Sequence, residues 1–287
     1  MIDIFQILIS GLLLGGIYAL GALGLTVCFG VLNVLNVAHG EFLMLGAFLG
    51  YLAFNYFGIN PFISIIFLFW VFFIVGCLFE KFLIRPISNR TFHEMLIAST
   101  LVTFGVAIAI EDFVAFIWGG AEAGISYELP TIMVAGIHIS MLRLVALVFI
   151  ITLTILFHVF MKSTYIGKAL RGIAQNRRGA MVIGINIGKI STITFGIGTA
   201  LAAISGVIYA TIYTFSPFIG LPLTVNFLAI IVLGGVGSFG GALAGGMILG
   251  ITECLVGYSF GLEWSPVVAF LLLILILIFR PKGIFTT

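Results

Sequence analysis

The sequence predicts an all-α polytopic membrane protein: one transmembrane domain over residues 1–287, with about eight or nine spanning helices, some of them broken by glycine. Three observations predict it. Hydrophobic residues fill 62% of the chain and charged residues 8%, whereas a soluble domain carries roughly 25% charged residues, so there is too little polar surface to clothe a globule in water. Apolar stretches of about 20 residues, enough to cross the roughly 30 Å hydrocarbon layer, recur along almost the whole chain. The basic residues gather in short blocks between those stretches, the placement that sets orientation in a bilayer.

The blocks are Lys81, Arg85 and Arg90; then Lys162, Lys168, Arg171, Arg177, Arg178 and Lys189; then Arg280 with Lys282. They hold eleven of the twelve basic residues and are expected in the cytoplasm. The stretch from Glu111 to Glu128 carries only acidic charges, as do the N-terminus and the region of Glu253 and Glu263, and these are expected outside. Spans between the markers fall at 4–29, 37–57, 62–80, 95–118, 141–161, 190–214 and 265–280, with a broken Gly-rich hairpin at about 224–258. This puts the N-terminus outside and the C-terminus in the cytoplasm, provided the hairpin either crosses twice through one short arm or dips in and returns; two crossings are preferred. Pro61, Pro130, Pro217, Pro222 and Pro266 fall near the predicted outer ends, where a missing N–H costs least. Met1 to Asp3 lack the basic flank of a secretory signal, so the first apolar stretch is expected to be a retained span.

A net charge of +2 without a basic stripe gives no reason to expect nucleic acid as a partner. Cys28, Cys77 and Cys254 sit in apolar runs without CxxC spacing, and His39, His93, His138 and His158 are dispersed, so neither disulfides nor a metal centre is expected. No Ser/His/Asp or Cys/His set is evident. Gly11 with Gly15, Gly46 with Gly50, Gly237 with Gly241 and Gly245, and Gly246 with Gly250 lie four apart, a spacing that lets helices approach closely. Residues 11–24 and 196–210 are similar Gly/Ala-rich helices of opposite predicted direction. Each precedes a broken segment, a weak sign of an inverted-topology repeat.

Three segments carry chemistry. The run Asn33-Val-Leu-Asn36-Val-Ala-His39-Gly40-Glu41 puts amides, an imidazole and a carboxylate near membrane depth, where such groups are costly. It is either a helix break that satisfies itself, with Asn36 or His39 capping a helix that restarts near Glu41, or a hinge or pathway lining. Around Gly234, Gly235 and Gly237 the chain is either a tight turn or a place kept clear for a neighbouring backbone or ligand; Asn226 nearby either caps a helix or orients a solute. Between Lys162 and Lys189 lies a loop too long for a simple connection and too apolar for a disordered tail. It reads as a short amphipathic helix with Leu170, Ile173 and Ala174 on one face and Lys168, Arg171 and Arg178 elsewhere, then a turn and a second short helix.

Three stretches stand out as motifs: Gly16-Ile-Tyr-Ala-Leu-Gly-Ala-Leu-Gly-Leu-Thr26 with Asn36-Val-Ala-His-Gly-Glu41; Gly167-Lys-Ala-Leu-Arg-Gly-Ile-Ala-Gln-Asn176 through Gly184-Ile-Asn186; and Gly234-Gly-Val-Gly-Ser-Phe-Gly-Gly-Ala-Leu-Ala-Gly-Gly246 with Arg280-Pro-Lys-Gly283. In them the chain resembles the permease subunits of branched-chain amino-acid ABC transporters, a family that includes urea-type permeases. The resemblance implies a multi-pass subunit of the inner (cytoplasmic) membrane. Its 162–189 loop is similar to an EAA-type coupling segment that docks in a groove of an ATP-hydrolysing subunit. Gly184 matches that motif's glycine, whereas Arg178-Gly179-Ala180 keeps only the last alanine of Glu-Ala-Ala. Coupling would rest on Lys168, Leu170, Arg171, Ala174, Arg178, Ala180, Gly184 and Ile185. The pathway or hinge would rest on Asn33, Asn36, His39, Gly40, Glu41, Asn226, Gly234, Gly235 and Gly237. Implied partners are ATPase subunits, a second related permease or another copy of the chain, an extracytoplasmic solute-binding protein, membrane lipid and a small-molecule solute.

The chain itself is expected to bind no cofactor, with ATP and Mg held by the partner ATPases. Gly184-Ile-Asn-Ile-Gly188-Lys189 is one residue short of phosphate-loop spacing and lacks the following Ser or Thr. Competing readings are an ion-coupled secondary transporter or channel for a small polar solute such as urea, using Glu41, Glu111, Asp112 and Glu253, and, for the loop, a surface helix held by anionic lipid.

Overall fold

The structure, a computed structural model, describes residues 2–32, 34–88, 91–127, 129–134, 137–280 and 283–284. Asn33, Arg90, Glu128 and Lys282, all invoked above, lie outside the described residues. The long helices are α1 (Ile2–Leu32), α2 (His39–Phe57), α3 (Pro61–Phe79), α4 (Phe92–Trp118), α5 (Met141–Ser163), α8 (Ile187–Ala210), α9 (Gly220–Gly234), α10 (Phe239–Phe260) and α11 (Ser265–Phe279). The loop between α5 and α8 folds into α6 (Tyr165–Gln175) and α7 (Arg177–Val182). Seven helical stretches among the described residues are long and apolar enough to cross a membrane. The protein is a multi-pass, almost wholly helical membrane protein.

Local sequence sets most boundaries. Asn60, Thr164, Asn176, Asn186 and Ser238 each accept a first-turn N–H at the start of α3, α6, α7, α8 and α10, as capping residues do. Glycines in the left-handed region, Gly58 and Gly119, end α2 and α4. One expectation needs correction. The span predicted to reach 214 stops at Ala210, because the chain there doubles back and Phe215 pairs with Ala123 through two backbone hydrogen bonds of 2.8 Å. The connection between α4 and α5 contains a short hairpin, β1 (Thr131–Val134) with β2 (Ile137–Ser140).

Helices α1 and α8 form the centre. Close approach at glycine decides how they pack: α1 runs antiparallel to α10, Gly11 and Gly15 lying against Ile251 and Gly246, and a Cβ on Gly15 would sit 2.6 Å from the Gly246 carbonyl oxygen. In the same way α8 runs antiparallel to α3, the Thr199 hydroxyl donating to the Phe72 carbonyl at 2.9 Å and Cys77 facing Thr192. Gly24 of α1 and Gly198 of α8 cross backbone to backbone. All four sets of glycines spaced four apart, the Gly237, Gly241 and Gly245 triple included, sit against a neighbouring helix. Large apolar side chains on the outer faces, such as Phe67, Trp70, Leu101, Phe116 and Val148, are exposed, as a lipid-facing surface requires.

The described basic blocks collect at one end of the bundle. Arg85 reaches Gly188 across the ends of α3 and α8, and the tail Gly283–Ile284 packs on the C-terminal end of α9 beside Gly235. The twelfth basic residue, Arg143, sits at the other end, bonded to Ser10 at 3.0 Å.

Candidate functional site

The break after α1 returns the chain to the middle of the bundle. His39 Nε2, which must donate, lies 2.9 Å from the carbonyl of Gly21, well inside α1. Helix α2 therefore starts deep, and α9 starts against it. A Cβ on Gly40 would collide with the Gly220 carbonyl, and a Cβ on Gly220 with the Glu41 carboxylate. Two helix N-termini, each the positive end of a helix dipole, thus meet at Glu41. Pro217 and Pro222 accordingly flank a helix start inside the bundle, not at an outer end; proline favours the first turn wherever that turn lies.

Capping here comes from other helices, not from Asn36 or His39 as expected. The Gly40 N–H donates to the Thr224 hydroxyl of α9 at 2.8 Å, and that hydroxyl donates to the Val37 carbonyl at 2.9 Å. The Val37 N–H donates to the Thr103 hydroxyl of α4 at 3.0 Å. This leaves the side chains that sequence singled out without work of that kind. Asn36, His39 and Glu41 are fully buried, and the Asn36 amide, His39 Nδ1 and both Glu41 oxygens have no hydrogen-bond partner among the described residues. Burying such groups without partners is costly.

The second glycine segment is a turn and a close approach at once. Gly235 and Gly237 have φ of +95° and +82°, a region that favours glycine. Gly30 of α1 and Gly283 of the tail pack against it backbone to backbone. It lies a helix length, about 20 Å, from the Gly40–Gly220 junction, so the two broken segments do not form one site. Asn226 caps nothing: it sits in α9 and donates to Glu253 Oε1 at 3.3 Å. Glu253 is not an exposed external marker either, being buried in α10 with Tyr18 of α1 donating to its Oε2 at 3.0 Å.

At the basic end, α6 rests its apolar face on the bundle: Ala169, Leu170 and Ile173 are buried among residues of α1, α5 and α8. Ala174, expected on that face, is exposed: it lies in the last turn of α6, past Gly167, Ala169, Leu170 and Ile173, the residues that rest on the bundle. Arg171 is tied to the Met161 and Lys162 carbonyls at the end of α5. Lys168, Arg178 and Gly184 are exposed, Ala180 is buried, and Ile185 packs at the core's edge. Gly184 has φ +85° with open space around it. What sequence reading missed is the triplet before it: Met181, Val182 and Ile183 are 53%, 87% and 76% exposed. The available signal was an uninterrupted apolar triplet in a charged loop, adjacent to the motif glycine.

A polar network joins this loop to the membrane helices. Beyond α3 the chain winds as a π-turn, Glu80–Ile84, a form often found at functional sites. Buried Glu80 pairs with Arg85 at 3.0 Å and accepts from Thr192 at 2.8 Å, while Arg85 also bonds Thr192 and the Gly188 carbonyl, both on α8 just after the loop. A cavity of about 300 Å³ lies between this network and Arg177 and Met181 of α7.

Residues 7–277 match the family model for the permease component of the branched-chain amino acid transport system. The chain belongs to that family. This permease component is 32% identical to the high-affinity branched-chain amino acid transport system permease protein BraD of Pseudomonas aeruginosa, covering 97% of this chain and 94% of that one. It is 31% identical to the corresponding LivH of Escherichia coli K12, with the same coverage. In fold it is similar to PsaBC from Streptococcus pneumoniae, solved in complex with Fab, at a TM-score of 0.50 and 14% identity over 97% of this chain and 92% of that chain.

Proposed function

We propose that this chain is the membrane-spanning half-pathway of an importer for branched-chain or related amino acids in the inner membrane. Its N-terminus is external and its C-terminus cytoplasmic. It pairs with a second related permease or another copy of itself, and receives solute from an external binding protein. The energy comes from ATP and Mg held by partner ATPase subunits. The observation that carries this reading is the apolar tip Met181-Val182-Ile183, held out from the basic end by α6 and α7. Exposed apolar surface rimmed by arginines fits a partner groove better than water. Movement of that tip reaches α8 and α3 through Gly188, Thr192, Arg85 and Glu80.

Two features support alternating access within the bundle. Helices α1–α3 and α8–α10 trade partners reciprocally, α1 along α10 and α8 along α3, as two inverted units would. The discontinuous starts of α2 and α9 meet where those units cross, the arrangement in which transporters place solute and ion sites.

The experiment is reconstitution. Proteoliposomes with the chain, its partner permease, the ATPases and the binding protein accumulate leucine only while ATP is hydrolysed. The chain alone, under a proton or sodium gradient, accumulates none. Gradient-driven uptake by the chain alone would make it a secondary transporter and refute the proposal.

A further inference from the structure

Glu253, Tyr18 and Asn226 line a cavity of about 720 Å³ bounded by parts of α1, α4, α8, α9, α10 and α11. That volume falls in the range of small-molecule sites, roughly 300–1,000 Å³. Its chemistry is uneven. Most of the wall is apolar, with Phe104, Leu221, Leu228 and Phe270 contributing, and the described acid on it is Glu253. Among the described residues no cationic side chain lines it. The carboxylate is held in place by one bond to each oxygen, from Tyr18 at 3.0 Å and Asn226 at 3.3 Å, and each carboxylate oxygen has a second lone pair free for another donor. The cavity also reaches Val37 and Thr224, the residues that join the two helix starts, so it opens onto the junction that the transport cycle must move.

We propose that this cavity is a solute station in which Glu253 takes the ammonium group of an amino acid and the apolar wall takes its side chain. The proposal rests on the import function above and adds where in this chain the solute is held. A fixed carboxylate beside an apolar wall selects for solutes that carry both a positive donor and a hydrocarbon side chain. A neutral amide such as urea offers neither the charge nor the apolar part. Tyr18 and Asn226 act as positioning residues, holding the carboxylate in one orientation so that little ordering is left for the solute to impose.

The test is leucine carried per ATP hydrolysed by the reconstituted transporter, with Glu253→Gln, Glu253→Asp and wild type side by side, together with the melting temperature of each purified chain. Glutamine keeps the size and can still accept from Tyr18, so the fold stays. Losing a charge-assisted bond predicts a fall in the transport ratio of about tenfold or more for Glu253→Gln, with partial recovery for Glu253→Asp and melting temperatures close to wild type. A ratio unchanged in Glu253→Gln overturns the station. So does a fall in ratio that both variants share with a fall in melting temperature, which would make Glu253 a packing tie. If wild type itself accumulates no leucine on ATP, the import function fails first, and that result is read before any variant is compared.

Discussion

Replacing Val182 and Ile183 together by aspartate abolishes ATP-driven uptake and releases the ATPase subunits from the complex. Both side chains stand almost clear of the chain, 87% and 76% exposed, so nothing in the bundle depends on them and the melting temperature of the isolated chain stays where it was. In a partner groove each apolar side chain contributes about 1.5–3 kcal/mol, and a carboxylate buried there without a partner costs more than that gain. The pair therefore loses at least about 3 kcal/mol, more than a hundredfold in affinity. Uptake by proteoliposomes and retention of the ATPases on the purified chain are the two readouts. Wild-type behaviour in both would mean that the triplet faces lipid headgroups and that coupling enters elsewhere.

Glu41→Met raises the melting temperature by several degrees and lowers uptake by about tenfold or more. The carboxylate is fully buried with no hydrogen-bond partner among the described residues. The convergent dipoles of α2 and α9 offset part of that cost, but removing an unsatisfied buried group still returns about 1–3 kcal/mol. The same cost makes the closed junction easier to open, because separating Gly40 from Gly220 lets water reach the acid. Methionine fills the space with soft apolar volume, stabilises the closed form and shifts the population away from the open one. Thermal unfolding and uptake measured on one preparation test it. A melting temperature that does not rise, or a rise with uptake intact, contradicts the account.

Membrane class and most helix positions were readable from sequence because each depends on neighbours within a few residues; the capping residues Asn60, Thr164, Asn176, Asn186 and Ser238 carry an equally local signal, but it was passed over in favour of Asn36 and His39. The site was legible only in outline. The run from Asn36 to Glu41 stood out as polar in an apolar setting, but its caps, Thr103 and Thr224, act from 66 and 184 residues away, and no local pattern announces them. Glu253 looked like an external charge because its helix end was unknown, and its partner Tyr18 lies 235 residues off in sequence. The depth at which α2 and α9 begin follows from Gly40 meeting Gly220, a contact between two residues with no side chain to mark it. The exposed triplet was hidden for a different reason: in a membrane protein an apolar run carries no information about which apolar environment it faces.

The central claim is that the 162–189 loop is the cytoplasmic handle gripped by an ATPase, and a photoreactive side chain in place of Val182 tests it most directly. On illumination in native membranes it is expected to form a covalent adduct with the ATP-hydrolysing subunit, and the adduct should change in yield when a non-hydrolysable nucleotide is added. Adducts with lipid alone, or a position 182 that reacts with a membrane-impermeant reagent applied from outside intact cells, would contradict the claim.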